Sequence, residues 1–178
     1  MNFLIKLATG IDRLNEIIGR GVAWVALLMV LVQFTVVIMR YVFAIGFIPM
    51  QESIWYMHGI LFMVGAGYTL LHDGHVRVDI IYREASVRKK AWIDTLGSLF
   101  FLIPLCILTL WLSSSYVINS WKTFESSTEI SGLPLIFALK TVIWVFAVLL
   151  GLQAISTLIH GIETLFLKTD ETAETAAS

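Results

Sequence analysis

A chain of 178 residues that is 58% apolar and only 14% charged, with a mean hydropathy of +0.85, is not a water-soluble domain, which carries about a quarter charged residues. Lipid removes the need to hide that apolar surface, so the expectation is an all-α membrane protein with one membrane domain over residues 1–168. A formal net charge of −1 and a pI near 6.4 supply no basic field that would draw nucleic acid.

An ionised side chain at the centre of a spanning helix costs about 2.5–3.5 kcal/mol, so charge-free intervals mark the spans. Before the first of them, Phe3, Leu4, Leu7, Ile11, Leu14 and Ile18 recur at helical spacing, interrupted by Lys6, Asp12, Arg13 and Glu16. Residues 3–18 therefore read as an amphipathic helix in the membrane interface, with Lys6, Arg13 and Arg20 towards anionic phospholipids. A frayed leader that supplies only charge is the plainer reading. Span one follows over 21–39; it is longer than the apolar region of a typical signal peptide and no small-residue cleavage site follows, so it reads as a retained helix.

Span two covers 53–72, opened by Glu52, with Gly65-Ala66-Gly67 as a small-residue face for close helix approach. Asp73-Gly74 then makes a turn before His75-Val76-Arg77-Val78-Asp79, in which Val76, Val78 and Ile80 face a packed side while Arg77 and Asp79 hold the turn; a plain solvated loop is the alternative. Span three covers 95–120 and contains Pro104, a packing feature or a bend, and Cys106, whose apolar surroundings read as a buried, inert thiol. Span four covers 133–160, with Ser131-Gly132-Leu133-Pro134 at its start and Lys140 as its one charge. Residues 169–178 are small and acidic, the composition of a disordered tail.

Nine Lys and Arg residues flank the spans on the side of the termini and the 72–94 connection, against Arg40, Lys122 and Lys140 on the other. That asymmetry predicts both termini in the cytoplasm. The opposite, outer end then carries a charge cluster: Arg40 and Tyr41 close span one, Glu52 opens span two, Lys122, Glu125 and Glu129 occupy the second outer loop, and Lys140 lies about 9 Å down span four, where it needs water or an acid among Glu52, Glu125 and Glu129. Trp24 and Tyr68 are expected at the inner boundary, and Tyr41, Phe43, Phe47, Trp55, Tyr56 and Trp121 at the outer one.

Sequence motifs for chemistry are sparse. Bis-histidine haem needs two imidazoles at matching depth, and of His58, His72, His75 and His160 only His58 is near mid-membrane. No span has an acidic residue near its middle, and neither an internal repeat nor paired helix breaks occur, so an autonomous ion-coupled transporter is not indicated. No catalytic, metal or cofactor residue is expected.

The run Arg40-Tyr41-Val42-Phe43, Glu52, Gly65-Ala66 and His75-Val76-Arg77-Val78-Asp79, followed by Trp121, Ser127, Gly132-Leu133-Pro134 and Lys140, resembles the small membrane subunits (DctQ type) of tripartite ATP-independent periplasmic, or TRAP, transporters over roughly residues 10–165. No single motif is specific; their order and spacing are. The resemblance implies a bacterial inner-membrane subunit, both ends cytoplasmic, that binds neither sodium nor substrate. Its partners would be a large elevator-type membrane subunit, which moves an organic carboxylate or sulfonate with sodium ions, and a periplasmic binding protein. A membrane anchor for a redox complex and a free-standing four-helix transporter remain the alternatives.

Overall fold

Charge-free apolar intervals become helices because a backbone in lipid must satisfy its own hydrogen bonds. The structure, a computed structural model, describes residues 2–75 and 85–166. The helices are α1 (Asn2–Tyr41), α2 (Ile48–Val64), α3 (Ala66–Leu71), α4 (Val87–Gly97), α5 (Ile103–Thr123) and α6 (Ile136–Phe166), with a π-helical segment, Ser98–Leu102, joining α4 to α5. They group into four helices long and apolar enough to cross a membrane: Phe3–Tyr41, Ile48–Leu71, Val87–Thr123 and Ile136–Phe166. The expected contacts of Val76, Arg77, Val78, Asp79 and Ile80, and the tail 169–178, lie outside the described residues.

Residues 3–18 are helical, as their spacing predicts, and run without a break into the first span. At about 1.5 Å per residue the 40 residues of α1 reach about 60 Å, twice the hydrocarbon thickness. Ala8, Ile11 and Asn15 are buried, whereas Phe3, Leu4, Leu7, Leu14 and Ile17 are exposed. The polar interruptions of this segment explain its path: Asp12 and Asn15 find partners on α6, and the helix follows them.

Pro49 stands in the first turn of α2, where a missing N–H costs nothing. Gly65 divides α2 from α3, yet its N–H still bonds the Leu61 carbonyl and its own carbonyl accepts from Thr69, so the two stack as one span. Asp73, at φ +54°, carries the turn after α3, and Gly74 donates to the Thr69 carbonyl at 2.8 Å. Ser86 caps α4, accepting from the Lys89 N–H. Pro104 falls in the first turn of α5, directly after the π segment, where Ile103 donates to Ser98 five residues back. A widened turn accommodates the ring that would otherwise press on the preceding carbonyls, so this proline marks a π distortion inside span three.

Every other helix touches α6, which is the centre of the bundle. Small residues face inward and large ones outward: Ala8, Ala66, Ala147 and Ala154 are buried, while Phe62, Phe101 and Trp111 are exposed. Lipid is as apolar as leucine, so helices associate by close backbone approach rather than by hiding large side chains. Gly67 illustrates the fit, because a Cβ there would stand 2.4 Å from Asn15 Oδ1 and 3.3 Å from the Leu149 carbonyl oxygen. Ala66 and Gly67 thus form the close-packed face expected of Gly65-Ala66-Gly67, whereas a Cβ on Gly65 would meet only its own helix. Cys106 is buried against Gly151 and Leu150.

Candidate functional site

Glu52, one turn into α2, is 6% exposed despite its charge. Its carboxylate reaches the 124–135 loop, where Oε1 accepts from the Ser127 hydroxyl and Oε2 from the Leu133 N–H at 2.6 Å. The loop is tied to itself as well: Ser127 N–H bonds the Leu133 carbonyl at 3.2 Å, Glu129 N–H bonds Ser127 Oγ at 3.1 Å, and Gly132 N–H bonds the Glu129 carbonyl at 2.9 Å. Gly132 is required, since a Cβ there would fall 2.7 Å from Glu52 Oε1 and closer still to Ser127. Glu52 is thereby the clamp that fixes the loop before α6, which starts at Ile136, so Pro134 stands before the helix rather than in its first turn.

Lys140 takes a different acid. Its Nζ donates to Glu125 Oε2 and stands 3.9 Å from the centre of the Tyr116 ring, with the side chain 13% exposed. Carboxylate and aromatic face together supply the compensation a cation needs below the membrane surface. The Lys140 ammonium holds the Glu125 carboxyl below its ordinary 4.5. Trp121 anchors the same end, donating from Nε1 to Thr141 Oγ1 at 2.8 Å and meeting Phe137 edge-on at 4.7 Å.

Of the expected cluster, then, Glu52 and the Glu125–Lys140 pair are separate fastenings of one loop. Arg40, Tyr41, Lys122 and Glu129 are exposed, and Arg40 and Lys122 have no side-chain partner among the described residues. His75 lies at the other end, its Nε2 3.4 Å from the Ala66 carbonyl oxygen.

That other end holds a polar network for which composition gave no warning. Asp12 Oδ1 accepts from Gln153 Nε2 at 2.9 Å and from Ser156 Oγ at 2.6 Å, while Oδ2 meets His160 Nε2 at 3.0 Å. Asn15 Nδ2 donates to Gln153 Oε1 at 2.7 Å. Glu16 binds Arg20 at 2.5 Å and His72 at 2.6 Å, and the His72 imidazole, ahead of Arg20, holds the Glu16 carboxyl below its ordinary 4.5. The available signal was Gln153, Ser156 and His160 at helical spacing on α6, facing Asp12 and Asn15 three apart on α1. Among the described residues no group of three or more His, Cys, Asp or Glu side chains is placed to hold a metal ion.

Both ends are therefore fastened by hydrogen bonds between distant segments, and the carboxylates with a partner are spent on structure. The family described as tripartite ATP-independent periplasmic transporters, DctQ component, matches residues 29–164. No curated protein and no solved structure matches the chain.

Proposed function

Since the chain belongs to the DctQ component family of tripartite ATP-independent periplasmic transporters, we propose that it is the fixed, non-transporting scaffold subunit of a sodium-coupled importer of an organic carboxylate or sulfonate. Components of this family are not enzymes, and they associate with a large membrane subunit and a periplasmic binding protein. The chain braces the large subunit while the latter moves the substrate, and its Glu52 end helps dock the binding protein. Both termini lie in the cytoplasm of a bacterial cell and the 124–135 loop faces the periplasm. The nine-to-three Lys and Arg asymmetry supports that orientation.

The observation that supports the reading is the clamp of Glu52 on Ser127 and Leu133, which ties down the loop at the end of the bundle where Arg40, Lys122 and Glu129 are exposed to other chains. Sodium-driven uptake in vesicles holding the large subunit, the binding protein and this chain is the test. Uptake is expected to fall to background when this chain is omitted, and Arg40→Ala should lower uptake or complex yield while leaving insertion intact. Full uptake without the chain, or flux from the chain alone, would overturn the reading.

A further inference from the structure

A cleft of about 960 Å³ opens between α1, α2 and α6, lined almost wholly by apolar side chains such as Val30, Phe34 and Ile143. Besides Trp55 and Tyr116, three polar side chains line it: Lys140, Gln33 and His58. Lys140 is already bound to Glu125, but Gln33 on α1 and His58 on α2 are not so provided for. Both are exposed; His58 only stacks on Phe62 at 6.3 Å between ring centres, and Gln33 has no hydrogen-bond partner among the described residues. Gln33 lies seven residues, about 10 Å, along α1 from Arg40, and His58 lies six residues, about 9 Å, along α2 from Glu52, so both stand well inside apolar helices and line the one cleft.

A lipid chain in this cleft would leave an amide and an imidazole without hydrogen bonds, which is costly in hydrocarbon. A protein helix with Ser, Thr, Asn, Gln or His opposite them would satisfy both. The polar strip does not stop there, because Gln33 also borders a smaller cavity with Gln51, Glu52 and Glu129 that leads to the Glu52 end, and exposed Arg40 stands two turns along the same side of α1. We propose that this cleft is the seat of a membrane-spanning helix of the large subunit, one that carries a hydrogen-bonding side chain opposite Gln33 and His58. The proposal rests on the subunit reading above and specifies the face by which this chain joins its partner.

A photoreactive amino acid placed at Val30, exposed in the cleft, or at Trp111, exposed on α5 away from it, reads the contact in membranes holding all three components. Crosslinking to the large subunit is expected from position 30 and not from position 111. Gln33→Leu and His58→Leu, which favour insertion, should each lower recovery of the large subunit about three- to tenfold. Crosslinks from position 30 to lipid or a second copy alone, crosslinks from position 111 alone, or undiminished recovery in both leucine variants would overturn the proposal. If the unsubstituted chain recovers the large subunit in those cases, the cleft assignment fails and the subunit reading stands. If it recovers none, both fail.

Discussion

Asn15 of α1 and Gln153 of α6, separated by 138 positions in the chain, meet in a buried amide–amide hydrogen bond of 2.7 Å. Gln153 passes the contact on to Asp12, so one glutamine holds two turns of the neighbouring helix. Gln153→Leu would leave the buried Asn15 amide only its long 3.5 Å bond to the Leu149 carbonyl, at a cost of about 1–3 kcal/mol. Asn15→Leu should cost a similar amount. The double change should cost less than the sum, because neither polar group then remains unpaired. Thermal unfolding in detergent of the four-member cycle checks this; strictly additive losses would mean that the bond contributes nothing.

Of the four glycines whose Cβ site would fall less than 2.5 Å from a neighbour, Gly19 and Gly67 test substitution tolerance against two open ones. Gly19 packs on the Tyr68 ring and Gly67 on Asn15, whereas Gly10 and Gly21 face open space. Gly19→Ala and Gly67→Ala should each destabilise by about 1–3 kcal/mol through overpacking. Gly10→Ala and Gly21→Ala should stabilise by about 0.5–1 kcal/mol, since alanine loses less backbone freedom on entering a helix. Melting temperatures of the four single variants decide; a loss at Gly10 as large as that at Gly67 would refute the packing described.

The Lys140–Glu125 and His72–Glu16 contacts carry a pH signature. Each carboxyl is held below 4.5 in the folded chain, so its stabilising contribution is complete above the unfolded value and is lost as pH falls through the lower, folded one. The melting temperature in detergent should therefore drop on acidification below about pH 4.5. Glu16→Gln and Glu125→Gln should each flatten part of that drop while lowering stability at neutral pH. A profile unchanged in the double variant would assign the acid response to other groups.

Four helices long and apolar enough to cross a membrane were legible because a charge in lipid is so costly, yet the helices themselves run on through Arg20, Asp94 and Lys122, begin one turn before Glu52, and in the last case start only at Ile136, past Pro134. What charge alone left open was pairing. Lys140 had three acids within reach of the argument, and only the loop path, with Glu125 directly after α5, selects Glu125 over Glu52. Asp12 reads from sequence as an interruption of an interfacial helix, and Asn15 carries no signal at all, because a single chain segment does not display the polar groups on a helix about 140 residues later. The π segment was hidden too: Pro104 announces a local distortion without saying whether the helix bends, breaks or widens.

The same charges give an expected orientation in the membrane, which is directly measurable. Reporter fusions at Ser86 and after Ser178 should read cytoplasmic, and a fusion at Ser127 periplasmic. A periplasmic signal at Ser86 would reverse the assignment of the Glu52 end to the outside.

The Glu52 clamp yields the most specific expectation, because its two oxygens have distinct tasks. Glu52→Ala removes the acceptor from the Leu133 N–H and from the Ser127 hydroxyl together, leaving a partly buried backbone donor unpaired at a cost of about 1–3 kcal/mol. Glu52→Gln is milder: its carbonyl oxygen can take the Leu133 N–H while its amide donates to Ser127 Oγ, whose hydroxyl turns to accept. Gly132→Ala should resemble Glu52→Ala, since the added methyl would occupy the space of the carboxylate. In spheroplasts, a protease added from outside should therefore cut the 124–135 loop faster in Glu52→Ala and Gly132→Ala than in the unsubstituted chain, with Glu52→Gln close to the latter. Uptake by the assembled transporter should fall in the same order, because a loosened loop presents Glu129 poorly to partner chains. Equal cleavage rates in all four proteins would show that Glu52 does not hold the loop, and normal cleavage with lost uptake in Glu52→Gln would mean that its charge, rather than its clamp, is what the partners require.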